Sequence, residues 1–166
     1  MSTNATAAAT TSSFVNSSPL PGFTVEQLNI ILSLIDDKKD GNEKLVGKVE
    51  WLYDTEASCH MIGFFELLKN VKDIEPIIMG LLDGNNTIAG KAGYVKLGPN
   101  VLLKRVLFVP KLKCNLISIW QLNKELNCIV TFNDNFYGVQ ECISRKLIGV
   151  DKIKGGVFLY NEVTNT

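Results

Sequence analysis

The sequence has a single histidine and only four cysteines, Cys59, Cys114, Cys128 and Cys142, which are widely separated. No two cysteines form a C-x-x-C pair, so the number and spacing of ligands that a zinc knuckle or zinc finger needs are missing. We therefore predict no metal ion and no cofactor. The expected state of the four thiols is free and partly buried, as in a reducing compartment.

The sequence also lacks long apolar runs and an excess of either charge. No apolar run reaches the roughly 18 residues that cross a bilayer, and residues 1–18 have neither a basic start nor an apolar signal core. Lys and Arg total 17, as do Asp and Glu, which disfavours a broad nucleic-acid surface. The local basic groups Lys104-Arg105 and Lys111 with Lys113 lack interleaved aromatics, which is typical of a solvated edge. We expect a cytoplasmic protein without membrane or nucleic-acid partners.

The first 48 residues divide into a tail and a short helical segment. Residues 1–22 contain few large apolar side chains and are predicted to be a disordered tail. Thr24 and Gln27 form a capping-box pattern, and the apolar spacing that follows predicts a helix over residues 25–35. Its apolar stripe must pack on the main domain, on a partner helix or on a copy of itself. A charged linker then extends to residue 48.

The remaining chain has the pattern of an all-β domain over residues 49–160, followed by a short tail at 161–166. Short apolar or alternating runs are separated by Gly, Asn, Asp and Pro. This number of short strands favours a small closed β-barrel, with one short helix near Leu116–Lys124. The predicted strands are Val49–Tyr53, Ile74–Leu82, Thr87–Ala89, Ala92–Leu97, Leu102–Val109, Cys128–Phe132, Phe136–Gln140, Lys146–Val150 and Gly156–Tyr160.

The stretch W-L-Y-D-T-E-A-S-C-H-M, residues 51–61, carries the chemistry of this sequence. An apolar strand runs into Asp54, then into a hydroxyl residue and small residues. Taken alone, such an aspartate is most often a strand-end residue whose carboxylate caps a turn. The histidine that follows, His60, is more typical of a packed imidazole or a turn residue than of a partner for Asp54.

Further motifs follow this stretch in order: D-G at 83–84, G-Y-V at 93–95, V-L-F-V-P at 106–110 and N-L-I-S-I with Q-L at 115–122. With residues 51–61, this series resembles the protease segment of copia-type retrotransposon Gag-Pol polyproteins, whose motif is W-x-x-D-T/S-G-A-S-x-H-M. The resemblance covers about residues 50–160. Several short motifs in the right order are more specific than any one of them.

The resemblance implies a retropepsin-like β-barrel that contributes half of an active site. Two such subunits meet so that two aspartates share a proton, one acting as general base on water while the other donates to the scissile carbonyl. Asp54 is the matching residue. Thr55 would brace the two loops, Ala57 and Ser58 would return the loop to the barrel, and a hairpin at Asp83-Gly84 is either the substrate flap or an ordinary surface hairpin. The implied partners are a second copy of the chain and a polypeptide substrate.

The sequence departs from the family motif at Glu56, which replaces the glycine of the catalytic loop. Glycine tolerates backbone conformations that other residues avoid. In addition, one extra carboxylate at ~5 Å from another, at an effective dielectric of ~20, costs about 3 kcal/mol, and a symmetric dimer brings in two of them. We therefore expect a catalytically impaired or inactive protease domain. The alternative is a non-catalytic barrel that retains only dimerisation or peptide binding.

The sequence contains neither the zinc knuckle that precedes the protease in these polyproteins nor the integrase zinc module that follows it. We therefore expect an excised or truncated fragment of a retroelement. A nucleic-acid or assembly protein is a third possibility, but the balanced charge argues against it.

Overall fold

The computed structural model describes residues 22–36, 50–81, 83–154 and 157–160. The predicted tails, apart from Gly22, and the linker from residue 37 to residue 48 lie outside the described residues. The helices are α1 (Val25–Asp36) and α2 (Ile119–Leu126), with a 3-10 turn at Phe65–Leu67. The strands are β1 (Trp51–Asp54), β2 (Met61–Ile62), β3 (Lys69–Gly80), β4 (Asn86–Lys96), β5 (Leu102–Phe108), β6 (Asn115–Ser118), β7 (Cys128–Phe132), β8 (Phe136–Glu141), β9 (Leu147–Lys154) and β10 (Val157–Phe158).

The strands form two sheets, and the predicted all-β class is confirmed. The first sheet has the order β1-β6-β2-β5-β4-β3, and the second is the four-stranded meander β10-β9-β8-β7. Within the first sheet, β6 lies parallel to β1 and antiparallel to β2. A single bridge between Leu52 and Leu159 joins the two sheets at their edges. Among the described strands, the pairing is therefore barrel-like without one continuous ring of strands.

The main core lies between the two sheets. Ile62, Leu103 and Ile117 of the first sheet are fully buried in the same cluster as Tyr137 and Val139 of the second. In that cluster, Tyr53 packs edge-on against Tyr137 with ring centroids 4.9 Å apart. Burial raises the pKa of the Tyr53 phenol well above its ordinary value, and the neighbouring tyrosines add to this effect. Tyr53 thus fixes the strand that ends at Asp54.

Helix α1 packs against the second sheet, which is one of the three surfaces expected for its apolar stripe. The predicted capping box is present: the Thr24 N–H donates to Gln27 Oε1, and the Gln27 N–H donates to Thr24 Oγ1, both at 3.1 Å. Phe23, Leu28 and Ile31 are buried with apolar residues of β8 and β9. A Cβ at Gly138 would come within 2.8 Å of the Phe23 ring, so this glycine lets the ring approach the sheet.

Several predicted boundaries are corrected by the structure. The two strands expected at Thr87–Ala89 and Ala92–Leu97 are the single strand β4, because the chain stays extended through Gly90 and Lys91, and Lys91 pairs with Asp73 of β3 and Phe108 of β5. A Cβ at Gly93 would lie 2.5 Å from the Lys69 carbonyl oxygen, so the glycine permits close contact with β3. The helix expected from Leu116 begins only at Ile119, because residues 115–118 form the buried strand β6. Strands β2 and β6 were not predicted.

Among the described residues, no helix has both the length and the apolar character needed to cross a membrane.

Candidate functional site

Asp54 is the last residue of β1 and lies opposite Ser118 at the end of β6. Its carboxylate oxygen Oδ1 accepts hydrogen bonds from the backbone N–H groups of Glu56, at 2.7 Å, and Ala57, at 3.0 Å. These two bonds turn the chain sharply after the strand, as Asx turns do. The half-buried carboxylate therefore caps its own loop, which is the structural role expected of an isolated strand-end aspartate.

Three of the four predicted site residues, Thr55, Glu56 and Ser58, are exposed on the outer side of the Asp54 loop. We call them the loop rim. The Ser58 hydroxyl lies 3.9 Å from the Cys59 sulfur and is a weak donor to it. In the single chain, the structure brings Asp54 into contact with the loop backbone and leaves the rim side chains at the surface.

Glu56 does not adopt a backbone conformation that requires glycine. In the part of the chain that the structure describes, the non-glycine residues with positive φ are Asn70, Arg105, Lys111, Asn127 and Arg145, so Glu56 has an ordinary negative φ. The conformational freedom of glycine is therefore not needed at this position in the single chain. The charge that Glu56 would bring to a paired site is not affected by this finding.

Ser118 connects the Asp54 loop to helix α2. The side chain is fully buried, and its hydroxyl donates to the Ala57 carbonyl oxygen at 2.6 Å. Ser118 Oγ also accepts a hydrogen bond from the Gln121 N–H at 3.1 Å, so Ser118 is the N-cap of α2. One side chain thus stabilises both the loop and the first turn of the helix.

His60 is fully buried at the other end of the loop. Its ring atom Nδ1 lies 3.0 Å from the Ser118 N–H, and Nε2 lies 3.3 Å from Glu125 Oε2. Because a backbone N–H can only donate, Nδ1 must be the acceptor and Nε2 must carry the hydrogen. The imidazole is therefore neutral and its tautomer is fixed. The packed imidazole that the sequence predicted is confirmed.

Glu125 and Gln121 complete a group of four polar residues behind the loop, which we call the support network: His60, Ser118, Gln121 and Glu125. Glu125 Oε2 also accepts from the Lys104 N–H at 3.1 Å, and Oε1 accepts from Gln121 Nε2 at 2.7 Å. Burial raises the pKa of Glu125, but the hydrogen bonds from His60, Gln121 and Lys104 outweigh it and hold the pKa below its ordinary value. The carboxylate is therefore stabilised in its ionised form.

The predicted hairpin at Asp83-Gly84 is present between β3 and β4. The Leu81 N–H donates to the Asn85 carbonyl oxygen at 2.7 Å, and Gly84 has a φ of +82°, which favours glycine. Near the turn, Ile78 and Ile88 form a cross-strand pair and are 74% and 58% exposed. The hairpin thus carries an apolar surface, while its assignment as a substrate flap stays a prediction.

The cysteines in the described residues are free. Burial raises the pKa of the Cys114 thiol, and the negative charge of Asp54 raises it further. Among the described residues, no three His, Cys, Asp or Glu side chains come together in a group that could hold a metal ion.

Sequence reasoning missed the chemical roles of Ser118, Gln121 and Glu125. Ser118 and Gln121 lie within motifs that carry the family resemblance, but the motifs alone do not indicate which atoms they bind. Glu125 gave no sequence signal, because a glutamate in a short helix is usually solvated. The i, i+4 spacing of Gln121 and Glu125 was the one available indication that the two side chains interact.

Residues 51–127 match the family model described as the beta-barrel domain of Pol polyproteins. The match contains the complete Asp54 loop, the β3–β4 hairpin and the β6–α2 junction. This part of the chain is therefore similar to a segment of retrotransposon Pol polyproteins. No curated protein and no solved structure matched the chain.

Proposed function

We propose that this chain carries one half-site of a retropepsin-like aspartic protease of copia type, and that Glu56 impairs its catalysis. The observation that carries the proposal is the family match over residues 51–127, since it spans both the Asp54 loop and the strand and helix that hold it. The substrate would be a polypeptide, originally the polyprotein that contained the domain.

The geometry around Asp54 supports this assignment. A catalytic carboxylate must be held rigidly, and Asp54 is fixed at a strand end by two backbone N–H donors. The loop that follows it is held by Ser118 and His60 from behind. Aspartic proteolysis requires two carboxylates that share a proton, so a second copy of the chain would have to supply the other aspartate.

Glu56 is the residue that we hold responsible for impaired activity. Its side chain lies exposed on the loop rim, one residue from the Thr55 hydroxyl that would brace the paired loops. In a two-fold dimer, both copies of Glu56 would approach the aspartates, adding two negative charges to a site that already holds a carboxylate pair. Negative charges brought close together repel one another. This repulsion opposes both the association of the two chains and the ionisation of the aspartates that catalysis needs.

A non-catalytic barrel that binds peptide or a second copy is the alternative function. The exposed Ile78 and Ile88 on the β3–β4 hairpin favour retained binding, since they form an apolar surface beside an edge strand. The two functions differ in turnover: a statine-type transition-state analogue would bind in both cases, but only the protease would cleave peptide.

Peptide cleavage at about pH 5 to 6, where a carboxylate pair can hold one proton, tests the proposal. The proteins compared are the natural chain, Glu56→Gly, and Glu56→Gly combined with Asp54→Asn. Of the three proteins, we expect only Glu56→Gly to cleave peptide. The double variant should be inactive, because the asparagine side chain preserves the turn but cannot act as a general base. Cleavage that survives Asp54→Asn, or no cleavage by Glu56→Gly at any enzyme concentration, would contradict the protease assignment.

A further inference from the structure

We propose that His60 is a positioning residue for the Asp54 loop, acting through Ser118. This inference rests on the proposed function only in so far as the loop carries a catalytic carboxylate. That His60 holds the Asp54 loop in place is inferred from the hydrogen bonds of the support network, whatever the function of the loop.

The first step is the bond between His60 and strand β6. In the first sheet, β2 is only two residues long, and its antiparallel register with β6 is fixed at Met61 opposite Leu116. The Ser118 N–H, two residues further along β6, donates to the imidazole Nδ1 at 3.0 Å. His60 directly precedes β2, so its side chain supplies an acceptor for β6 at a position that the backbone of the short strand β2 does not reach.

The second step leads from Ser118 to Asp54. The Ser118 hydroxyl donates to the Ala57 carbonyl oxygen, and the Ala57 N–H donates to Asp54 Oδ1. The peptide groups on either side of Ala57 thus connect β6 to the carboxylate. A shift of the Ser118 backbone would move the loop that holds Asp54.

The third step explains why the residue is a histidine. The site needs an acceptor toward Ser118 and a donor toward Glu125, separated by the width of a ring, in a position with no solvent access. A neutral imidazole provides both groups. The backbone of His60 is also held, because its backbone N–H donates to Gln121 Oε1 at 3.1 Å and its carbonyl oxygen accepts from the Leu107 N–H at 2.9 Å.

The first test uses the natural full-length chain and requires no substitution. Long-range ¹H–¹⁵N NMR at pH 7 reports which imidazole nitrogen carries the hydrogen. We expect the neutral tautomer with hydrogen on Nε2 alone. Hydrogen on Nδ1, in either the other tautomer or the imidazolium ion, would overturn the proposal, because Nδ1 could then no longer accept from Ser118.

The second test compares two substitutions at the same buried position. His60→Asn keeps an acceptor near Nδ1 but is too short to reach Glu125, whereas His60→Leu removes both groups. We expect His60→Leu to shift the backbone amide resonances of Ser118, Glu56 and Ala57, and His60→Asn to restore the loop resonances toward their natural positions. Loop resonances that move equally in both variants would contradict positioning through Ser118. If neither variant folds, the tautomer measured in the natural chain decides the question.

An activity readout links the inference to the proposed function. In the Glu56→Gly background, we expect His60→Leu to lower kcat roughly tenfold or more with little change in KM, as expected when a reacting group is misplaced, and His60→Asn to recover at least part of the loss. A change in KM alone would contradict a positioning role. If Glu56→Gly itself does not cleave, the protease assignment fails, while the NMR measurements still decide whether His60 positions the loop.

Discussion

The two sides of the Asp54 loop differ in how strongly the fold constrains them. On the loop rim, Thr55, Glu56 and Ser58 are exposed. On the inner side, the support network is wholly or largely buried, and each of its four side chains makes at least two hydrogen bonds. Folding of the single chain therefore depends on the support network and is nearly indifferent to the rim.

This difference explains how the domain can keep its fold while residues of the loop rim change. A substitution within the support network would leave a buried polar group unpaired, which costs about 1–3 kcal/mol for a neutral group and more for a charged one. Glu56 incurs no such cost, because its side chain lies in solvent and its backbone is unstrained. A substitution at the loop rim such as Glu56 therefore requires no loss of stability.

The largest expected effect follows from Gly63, a glycine directly after β2 and outside the loop rim. A Cβ at Gly63 would overlap the backbone carbonyl of Leu112, which cannot move aside as a side chain would. We expect Gly63→Ala to lower the free energy of unfolding by about 3 kcal/mol, measured by urea denaturation. The matched control is Gly90→Ala, where the added methyl group meets no atom within 4 Å. Equal effects of the two substitutions would contradict this packing.

An intermediate effect is expected at Glu125, whose pKa lies below its ordinary value of 4.5 in the folded chain. The ionised carboxylate therefore contributes stability above about pH 4.5, and this contribution is lost as the pH falls through the lower, folded-state pKa. Glu125→Gln should lower the free energy of unfolding by about 1–2 kcal/mol at pH 7, because the NH₂ group of the new amide would face a group that donates to the natural carboxylate. The variant should also lose less stability than the natural chain on acidification. If the stability of the natural chain and of Glu125→Gln changed in parallel between pH 3 and 7, the hydrogen bonds from His60, Gln121 and Lys104 would not be stabilising the ionised carboxylate.

The smallest expected effect lies on the rim. Because Glu56 has a negative φ, Glu56→Gly should not relieve strain but should add freedom to the unfolded chain, lowering stability by about 0.5–1 kcal/mol. Glu56→Ala, which tests the side chain without that freedom, should change stability by less than about 0.5 kcal/mol. A more stable Glu56→Gly variant would mean that the loop is strained after all.

The sequence was informative where a pattern is local and less so where contacts are distant. The Thr24–Gln27 capping box, the Asp83-Gly84 turn and the all-β class were predictable, because each depends on residues close together in the chain. The helix predicted from Leu116 is wrong for residues 116–118, which form β6, because a strand of four residues is too short for an alternating pattern to distinguish it from the helix that follows. Asp54 was identified from its motif, but the role of Glu125 depends on contacts with His60 and Lys104, which are distant in sequence.

The most direct test of the account is the association of the chain with itself, measured by sedimentation equilibrium at pH 7 for the natural protein, Glu56→Gln and Glu56→Gly. Glu56→Gln removes the charge and retains nearly the same side-chain size. If repulsion of about 3 kcal/mol is relieved, both variants should dimerise with a Kd roughly a hundredfold lower than that of the natural chain. The same Kd for all three proteins, or no association of any of them, would contradict the proposal that the charge at the loop rim prevents the pairing of two half-sites.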